Sequence, residues 1–243
     1  MLKDSRIPVV LCWSGGKDSA LSLHRIQRSG RYVVRYLLTT VHRDFERISM
    51  HGVRESLLNQ QAESIGIPLV KAYVSEGTYE EYDRVMEAAF QRFKEEGIDI
   101  IAYGDINLED LRAYRDRNLE KIGMEGLYPL WKENTRVILQ EFLDAGFKTV
   151  TCCVNDAWFD ESAVGREIDL NFVRELPANV DPCGENGEFH TFCYAGPMFK
   201  RPLSLALGEK TYRPLNAPPI DDPEELASTK GFWYCDLELR NEY

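Results

Sequence analysis

Ser14-Gly15-Gly16-Lys17-Asp18-Ser19 concentrates the chemistry of phosphate binding within six residues. A glycine pair lets the backbone turn tightly and bring its N–H groups close to an anion. Lys17 adds a cation, Ser14 and Ser19 add hydroxyls, and Asp18 adds a carboxylate able to hold Mg²⁺ against phosphate oxygens. This is not a Walker A loop, which would need a glycine at Leu11 and a serine or threonine where Asp18 stands. An ordinary glycine-rich, serine-capped turn has no need of this coincidence of groups. A second polar cluster runs from Asp181 to Thr191, where Glu185, Asn186, Glu188 and His190 offer carboxylate, amide and imidazole groups. If the chain enters a strand near Phe189, alternation puts Glu188 and His190 on one face and Phe189 on the other. Glu188 or His190 is then the candidate for orienting or deprotonating a nucleophile.

The elements around the first cluster place it well. The apolar run Val9–Trp13 reads as a strand, and a helix fits Asp18–Ser29, closed by Gly30. The turn therefore opens onto a helix start, where unpaired N–H groups and the helix dipole favour negative charge. Further strands fit Tyr32–Thr40, Ile67–Val74, Ile98–Tyr103 and Gly126–Leu130. Helices fit His51–Ile65, Thr78–Glu96 (a Thr78/Glu81 capping box) and Leu108–Ile122. Strand–helix repetition of this kind predicts an α/β fold, a doubly wound five-stranded parallel sheet over residues 1–131.

In such sheets ligands gather beyond the carboxyl ends of the strands. Thr39, Thr40 and His42 follow the second strand, Gly104 and Asp105 the fourth, and Pro129 and Trp131 the fifth. Asp105 could meet ribose, α-phosphate or metal, or could simply cap the helix from Asn107. Arg112, Arg115 and Arg117 lie among Glu109, Asp110, Asp116 and Glu120, a mixture that reads first as a solvated, ion-paired face. Residues 132–243 read as a smaller α+β domain for the acceptor substrate, with a helix at Thr135–Ala145 and a strand at Phe147–Val154. Late strands at Leu203–Leu207 and Phe232–Leu239 would pair around a proline-rich insert at Pro214–Pro223.

Composition narrows the classes. The chain has 243 residues and a formal net charge of −11, which argues against a main task of gripping nucleic-acid backbone. No apolar run approaches the roughly 20 residues needed to cross a bilayer, and the N-terminus lacks a signal-peptide pattern. Six cysteines without a C-x-x-C read as reduced thiols, and the expected location is cytoplasmic. An α/β enzyme of this size is compatible with a homodimer.

The hexapeptide resembles the PP-loop of the ATP pyrophosphatases, a superfamily of the HUP (adenine nucleotide alpha hydrolase-like) type. That resemblance implies ATP as substrate, cleavage between its α- and β-phosphates, and adenine contacts near Thr40 and His42. SGGKDSALSLHR, YGDINLEDLRAYR, GLYPLWKENT, GREID and DPCGENGEFHTF occur in this order. Together they resemble the diphthine–ammonia ligase family, which amidates the carboxylate of diphthine on elongation factor two. The resemblance spans roughly Val9 to Phe199 and implies ATP and Mg²⁺ at Ser14–Ser19 with Gly104 and Asp105. It also implies a groove for a carboxylate-bearing acceptor, lined by Glu133, Asn134, Thr135, Glu185, Asn186, Glu188 and His190. Ammonia would be the nucleophile. The stretch Ser49–Leu69, with Met50-His51-Gly52-Val53-Arg54, looks closer to bacterial-type members, so His51, Arg54 and Gln60 would face an acceptor other than diphthine. Two other functions fit the same loop: a PP-loop enzyme modifying tRNA or a small molecule, and a non-catalytic ATP- or AMP-binding protein.

Overall fold

The computed structural model describes residues 5–48, 52–75, 78–215 and 229–240. The first sheet is built from β1 (Ile7–Cys12), β2 (Tyr32–His42), β3 (Arg47–Ile48), β4 (Leu69–Val74), β5 (Ile100–Ala102) and β6 (Glu125–Leu127). Its parallel strands run in the order β4-β2-β1-β5-β6. The chain winds outward from β1 through β2 to β4, then returns to the other side of β1 with β5 and β6. This order places the topological switch point, the usual ligand crevice, between the carboxyl ends of β1 and β5.

Helices α1 (Lys17–Arg28), α2 (Glu55–Ile65), α3 (Tyr79–Glu95) and α4 (Glu109–Lys121) connect these strands. Alternate residues of β1 feed opposite faces. Val9 and Leu11 join the core built with α1 and α2, whereas Val10 packs with Met86, Phe90 and Phe93 of α3 and Leu119 of α4. The Thr78 hydroxyl caps α3 by accepting from the Glu81 amide at 3.2 Å.

The five parallel strands stand as expected, and among the described residues β3 adds a two-residue antiparallel sixth against Val41 and His42; so short a strand leaves no alternation to read. Two expectations need correction. Thr39, Thr40 and His42 lie within β2 rather than beyond it, since β4 pairs with β2 as far as His42. Helix α2 begins at Glu55, not His51; His51 and Met50 lie outside the described residues, as does most of the proline-rich insert.

The second sheet is antiparallel, in the order β8 (Phe189–Ala195), β7 (Lys148–Asn155), β10 (Gly231–Leu239), β9 (Leu205–Pro214). As expected, β9 and β10 pair, from Gly231 opposite Pro214 to Leu239 opposite Leu205. Helices α5 (Thr135–Asp144) and α6 (Leu170–Glu175) flank it, with a single 3₁₀ turn at Glu161–Ala163; α6 and that turn were not foreseen. The two sheets share α1. Ala20, Leu21, Ser22 and Leu23 are all buried in succession, and such burial around a full turn means that α1 is covered on every side. One apolar cluster accordingly runs from Val9 and Leu21 through Leu57 to Cys152, Phe192 and Cys193 of the second sheet. Among the described residues no helix is long and apolar enough to cross a membrane.

Candidate functional site

The Ser14–Ser19 turn joins β1 to α1 at the switch point. Gly15 adopts φ +78°, a conformation that L side chains rarely take. Gly16 is the residue before α1, and a Cβ there would lie 2.9 Å from the carbonyl oxygen of Thr191. Both glycines thus let protein approach protein. The turn is then fixed from outside. Gly15 O accepts from Cys193 N at 2.8 Å and from Gln61 Nε2 at 2.9 Å, while Gln61 Oε1 accepts from the Trp13 indole at 2.9 Å. Ser14 Oγ and Ser19 Oγ stand 3.2 Å apart, and Ser19 donates to Gly16 O at 3.0 Å.

Gln61 was missed in the sequence. It is fully buried on α2 between Leu57, Leu58 and Ile65. A glutamine at a core-facing position of an amphipathic helix is the signal that could have revealed it, because a buried amide must find partners.

Lys17 is buried, at 3% exposure, and its ammonium is the junction of the site. It donates to both oxygens of Asp18, at 2.7 and 2.8 Å, and to the carbonyl of Cys183. Burial is the largest single influence and lowers its pKa, but the groups around it, Asp18 first and then Cys183 and Glu185, together outweigh burial and hold it above the usual lysine value. Asp18 is raised by its burial, against the pull of Lys17. The backbone N–H of Lys17 donates to Thr191 Oγ1 at 3.0 Å. The polar segment of the second sheet therefore folds directly over the first-sheet turn.

That segment holds itself together. Asp181 Oδ1 accepts from Cys183 N at 2.8 Å, and Asp181 Oδ2 accepts from the Thr135 hydroxyl at 2.8 Å. Glu188 is fully buried and accepts from Asp181 N (2.8 Å), Asn186 N (2.9 Å) and Asn186 Nδ2 (3.0 Å). Both carboxylate oxygens of Glu188 are thus engaged within the loop. Glu185 points the other way and accepts from Asn107 N at 3.2 Å, tying the loop to the chain that follows β5. Burial, then the charge of Asp18, pushes its carboxyl up to about 7. His190, on β8 opposite Cys153, is pushed down to about 4 by burial and then by Lys17, so its imidazole is neutral at pH 7.

Gly104 lies against the start of α1, where a Cβ would meet the backbone of Asp18 and Ser19 at 3.1 Å. Asp105 does not cap a helix; it pairs with Arg115 at 3.0 Å. Burial raises the Asp105 carboxyl and Arg115 opposes that. Arg115 also lies over the Tyr103 ring at 4.2 Å, so it is a buried partner rather than a solvated one.

Other expected residues serve elsewhere. Glu133 binds Arg25 through both oxygens, at 2.5 and 2.8 Å, and Asn134 caps α5 by accepting from Arg136 N at 3.0 Å. Arg54 pairs with Asp236 and Glu238 of β10, and Gln60 faces Glu63 on the exposed side of α2. Thr40 and His42 lie further along β2; the His42 ring packs at a 38° tilt against Phe45, centroids 4.5 Å apart, and its buried Nδ1 has no hydrogen-bond partner among the described residues.

The buried lysine, the helix start and the hydroxyls suit a phosphate in charge and donor chemistry. Among the described residues no group of three or more His, Cys, Asp or Glu side chains converges as a metal site. Magnesium at a nucleotide needs only one or two carboxylates beside phosphate oxygens and water, which Asp18 can supply.

A family model described as the diphthamide synthase N-terminal domain matches residues 7–126, and one described as the diphthamide synthase C-terminal domain matches residues 134–217. A diphthine–ammonia ligase of Danio rerio is 25% identical over 216 residues, 79% of this chain and 84% of the relative. One of Bos taurus is 25% identical over 219 residues, 81% of this chain and 82% of the relative. A longer diphthine–ammonia ligase of Schizosaccharomyces pombe is 21% identical over 242 residues, 87% of this chain and 39% of its own length.

Proposed function

Because the chain belongs to the diphthamide synthase family, we propose that it is an ATP-dependent ligase that adenylates an acceptor carboxylate, releases pyrophosphate and transfers ammonia to the activated acyl group. The observation that carries this reading is the junction at Lys17, whose one ammonium touches both the phosphate-type turn and the Asp181–Glu188 loop. An enzyme that joins a nucleotide to a second substrate needs two such binding surfaces in contact, whereas a nucleotide sensor needs one.

Ser14, Gly15, Gly16, Lys17 and Ser19 would hold the phosphates, with Gly104 and Asp105 beside them and Thr40 and His42 towards the adenine. Asp18 would hold Mg²⁺, which offsets charge on the phosphates. On binding, Lys17 would exchange the Cys183 carbonyl for phosphate oxygens and stabilise the charge that develops as pyrophosphate leaves. The acceptor carboxylate attacks the α-phosphorus; ammonia then attacks the acyl carbon, AMP departs, and one proton is released. His190, neutral at pH 7 and held at about 4 by burial, is suited to orienting the incoming ammonia rather than to keeping its proton, whereas Glu188 is assigned to shaping the loop. The acceptor surface would comprise Glu185, Asn186, Thr135 and His190, with Glu133, Asn134 and Glu188 holding the frame. We assign residues 1–131 to the nucleotide and 132–243 to the acceptor, and the cytoplasm as the location.

A product-resolved assay tests the reading: ATP, ammonium and elongation factor two bearing diphthine, with the wild type and Lys17→Ala. AMP and pyrophosphate that depend on the acceptor, and fall about 100- to 1000-fold in Lys17→Ala, are expected. ADP and phosphate as products, or unchanged turnover in the variant, would overturn it.

A further inference from the structure

Arg112 opens α4 at the carboxyl edge of β5 and β6, and it is held there in an unusual way. Its guanidinium carbon stands 4.4 Å from the Tyr128 ring centroid and 4.5 Å from that of Trp131. Those two rings are inclined at 55° to each other, with centroids 5.8 Å apart. Asp116 faces Arg112 Nε at 3.3 Å with one oxygen and accepts the Tyr128 hydroxyl at 2.7 Å with the other, so a single carboxylate braces both the cation and a ring. Aromatic faces hold a guanidinium without neutralising it.

Arg112 is ion-paired like the neighbouring cations, with Asp116 at 3.3 Å, but through Nε alone. Arg115 is paired with Asp105, Lys132 with Glu109, and Lys17 with Asp18. The terminal nitrogens of Arg112 have no hydrogen-bond acceptor among the described residues, and its side chain remains 34% exposed. Arg112 stands in the first turn of α4, which follows β5 at the same carboxyl edge of the sheet as the Ser14–Ser19 turn that follows β1.

The geometry points to Arg112 as an oxyanion subsite that receives the acceptor's carboxylate, an inference that rests on the ligase reading. With both rings on one side of it and Nε engaged by Asp116, the guanidinium still offers its two terminal nitrogens, whose paired N–H groups match a carboxylate. A carboxylate approaching a nucleotide on a chain of net charge −11 is repelled, and a fixed cation at the entrance offsets that repulsion. Asp116 is a positioning residue, acting through Arg112 and Tyr128.

Two measurements on the full chain decide the matter. In the first, glutarate and inorganic pyrophosphate are titrated while the arginine Nε–H resonances are followed by NMR, the Arg112 signal being identified by its loss in Arg112→Gln. A saturable shift with glutarate, at concentrations where pyrophosphate gives none, is expected. No shift, or a shift with pyrophosphate at equal or lower concentration, overturns the assignment; the latter makes Arg112 a ligand of nucleotide phosphate. In the second, the pyrophosphate-release assay with diphthine-bearing factor should show the acceptor KM raised roughly tenfold in Arg112→Gln. The ATP KM should stay within about twofold, and Arg112→Lys should recover less than half of the loss, since an ammonium lacks the paired edge. Equal acceptor KM in the wild type and Arg112→Gln overturns the inference. If the wild type itself releases no pyrophosphate, the ligase reading fails and the glutarate titration still decides the subsite.

Discussion

The two loops that meet at Lys17 are held by opposite means. The Ser14–Ser19 turn is shaped by what is missing and fixed by what lies outside it: no Cβ at Gly16, the amide of Gln61 from α2, and Thr191 and Cys193 from β8. The Asp181–Glu188 loop is shaped by its own carboxylates, with Asp181 and Glu188 collecting amides of the same segment. A turn gripped by its neighbours presents a rigid surface to a ligand that never varies, such as a nucleotide phosphate. A loop that carries its own bonding can keep its form while surrounding contacts change, which would suit the side proposed to admit an acceptor.

Gly16→Ala attacks the external grip and should have the largest effect on ATP binding. The new Cβ would meet backbone, Thr191 O at 2.9 Å, so no side-chain rotation can relieve it. Overpacking of this kind costs about 1–3 kcal/mol, and here it pushes β8 away from the turn. ATP affinity measured by calorimetry should be lost together with stability, and Thr191→Ala should not rescue it because the clash is with main chain. Retained ATP binding would show that the turn tolerates displacement and that the contrast between the loops is weaker than drawn. Glu188→Gln attacks the internal bonding. Replacing a buried carboxylate that accepts three N–H bonds should cost about 1–3 kcal/mol in denaturant unfolding, because the new amide turns a donor toward donors. ATP affinity should change less than about threefold, because Glu188 touches nothing in the turn. An equal loss of ATP affinity would make the two loops one unit.

The contrast also explains what the sequence made legible. Ser14–Ser19 was readable because its chemistry is local: glycines, hydroxyls and a lysine adjacent in the chain, between an apolar strand and a helix. The parallel order of the first sheet followed from the same strand–helix rhythm. The partners that fix the turn were not readable, since Gln61 and Thr191 reach it only through tertiary packing. Arg115 and Arg112 looked like a solvated face because their charged neighbours are close in sequence, whereas their aromatic contacts come from Tyr103, Tyr128 and Trp131 on other segments. The ion pairs of Glu133 and Arg54 were unreadable for the same reason. Their partners, Arg25 and Asp236, lie more than one hundred residues away and tie the early part of the chain to the late part.

The smallest effect lies where the two loops act on each other. Glu185 belongs to the self-bonded loop, yet burial and then the charge of Asp18 raise its carboxyl to about 7 from a model-peptide value of 4.5. The folded chain therefore binds this proton more tightly than the unfolded chain does. The stability it confers is intact below about pH 4.5 and is lost as pH rises through about 7, at most roughly 3 kcal/mol in all. Glu185→Gln keeps an acceptor for the Asn107 amide but removes the titration. The variant should gain stability over the wild type progressively from pH 5 to pH 8, read as the difference in denaturant midpoint. Adding Asp18→Asn should shrink that gain without abolishing it, since burial is the larger cause and the carboxylate of Asp18 the smaller. A gain independent of pH would separate Glu185 from the titration, and a gain untouched by Asp18→Asn would mean that the two loops meet at Lys17 without sensing each other's charge.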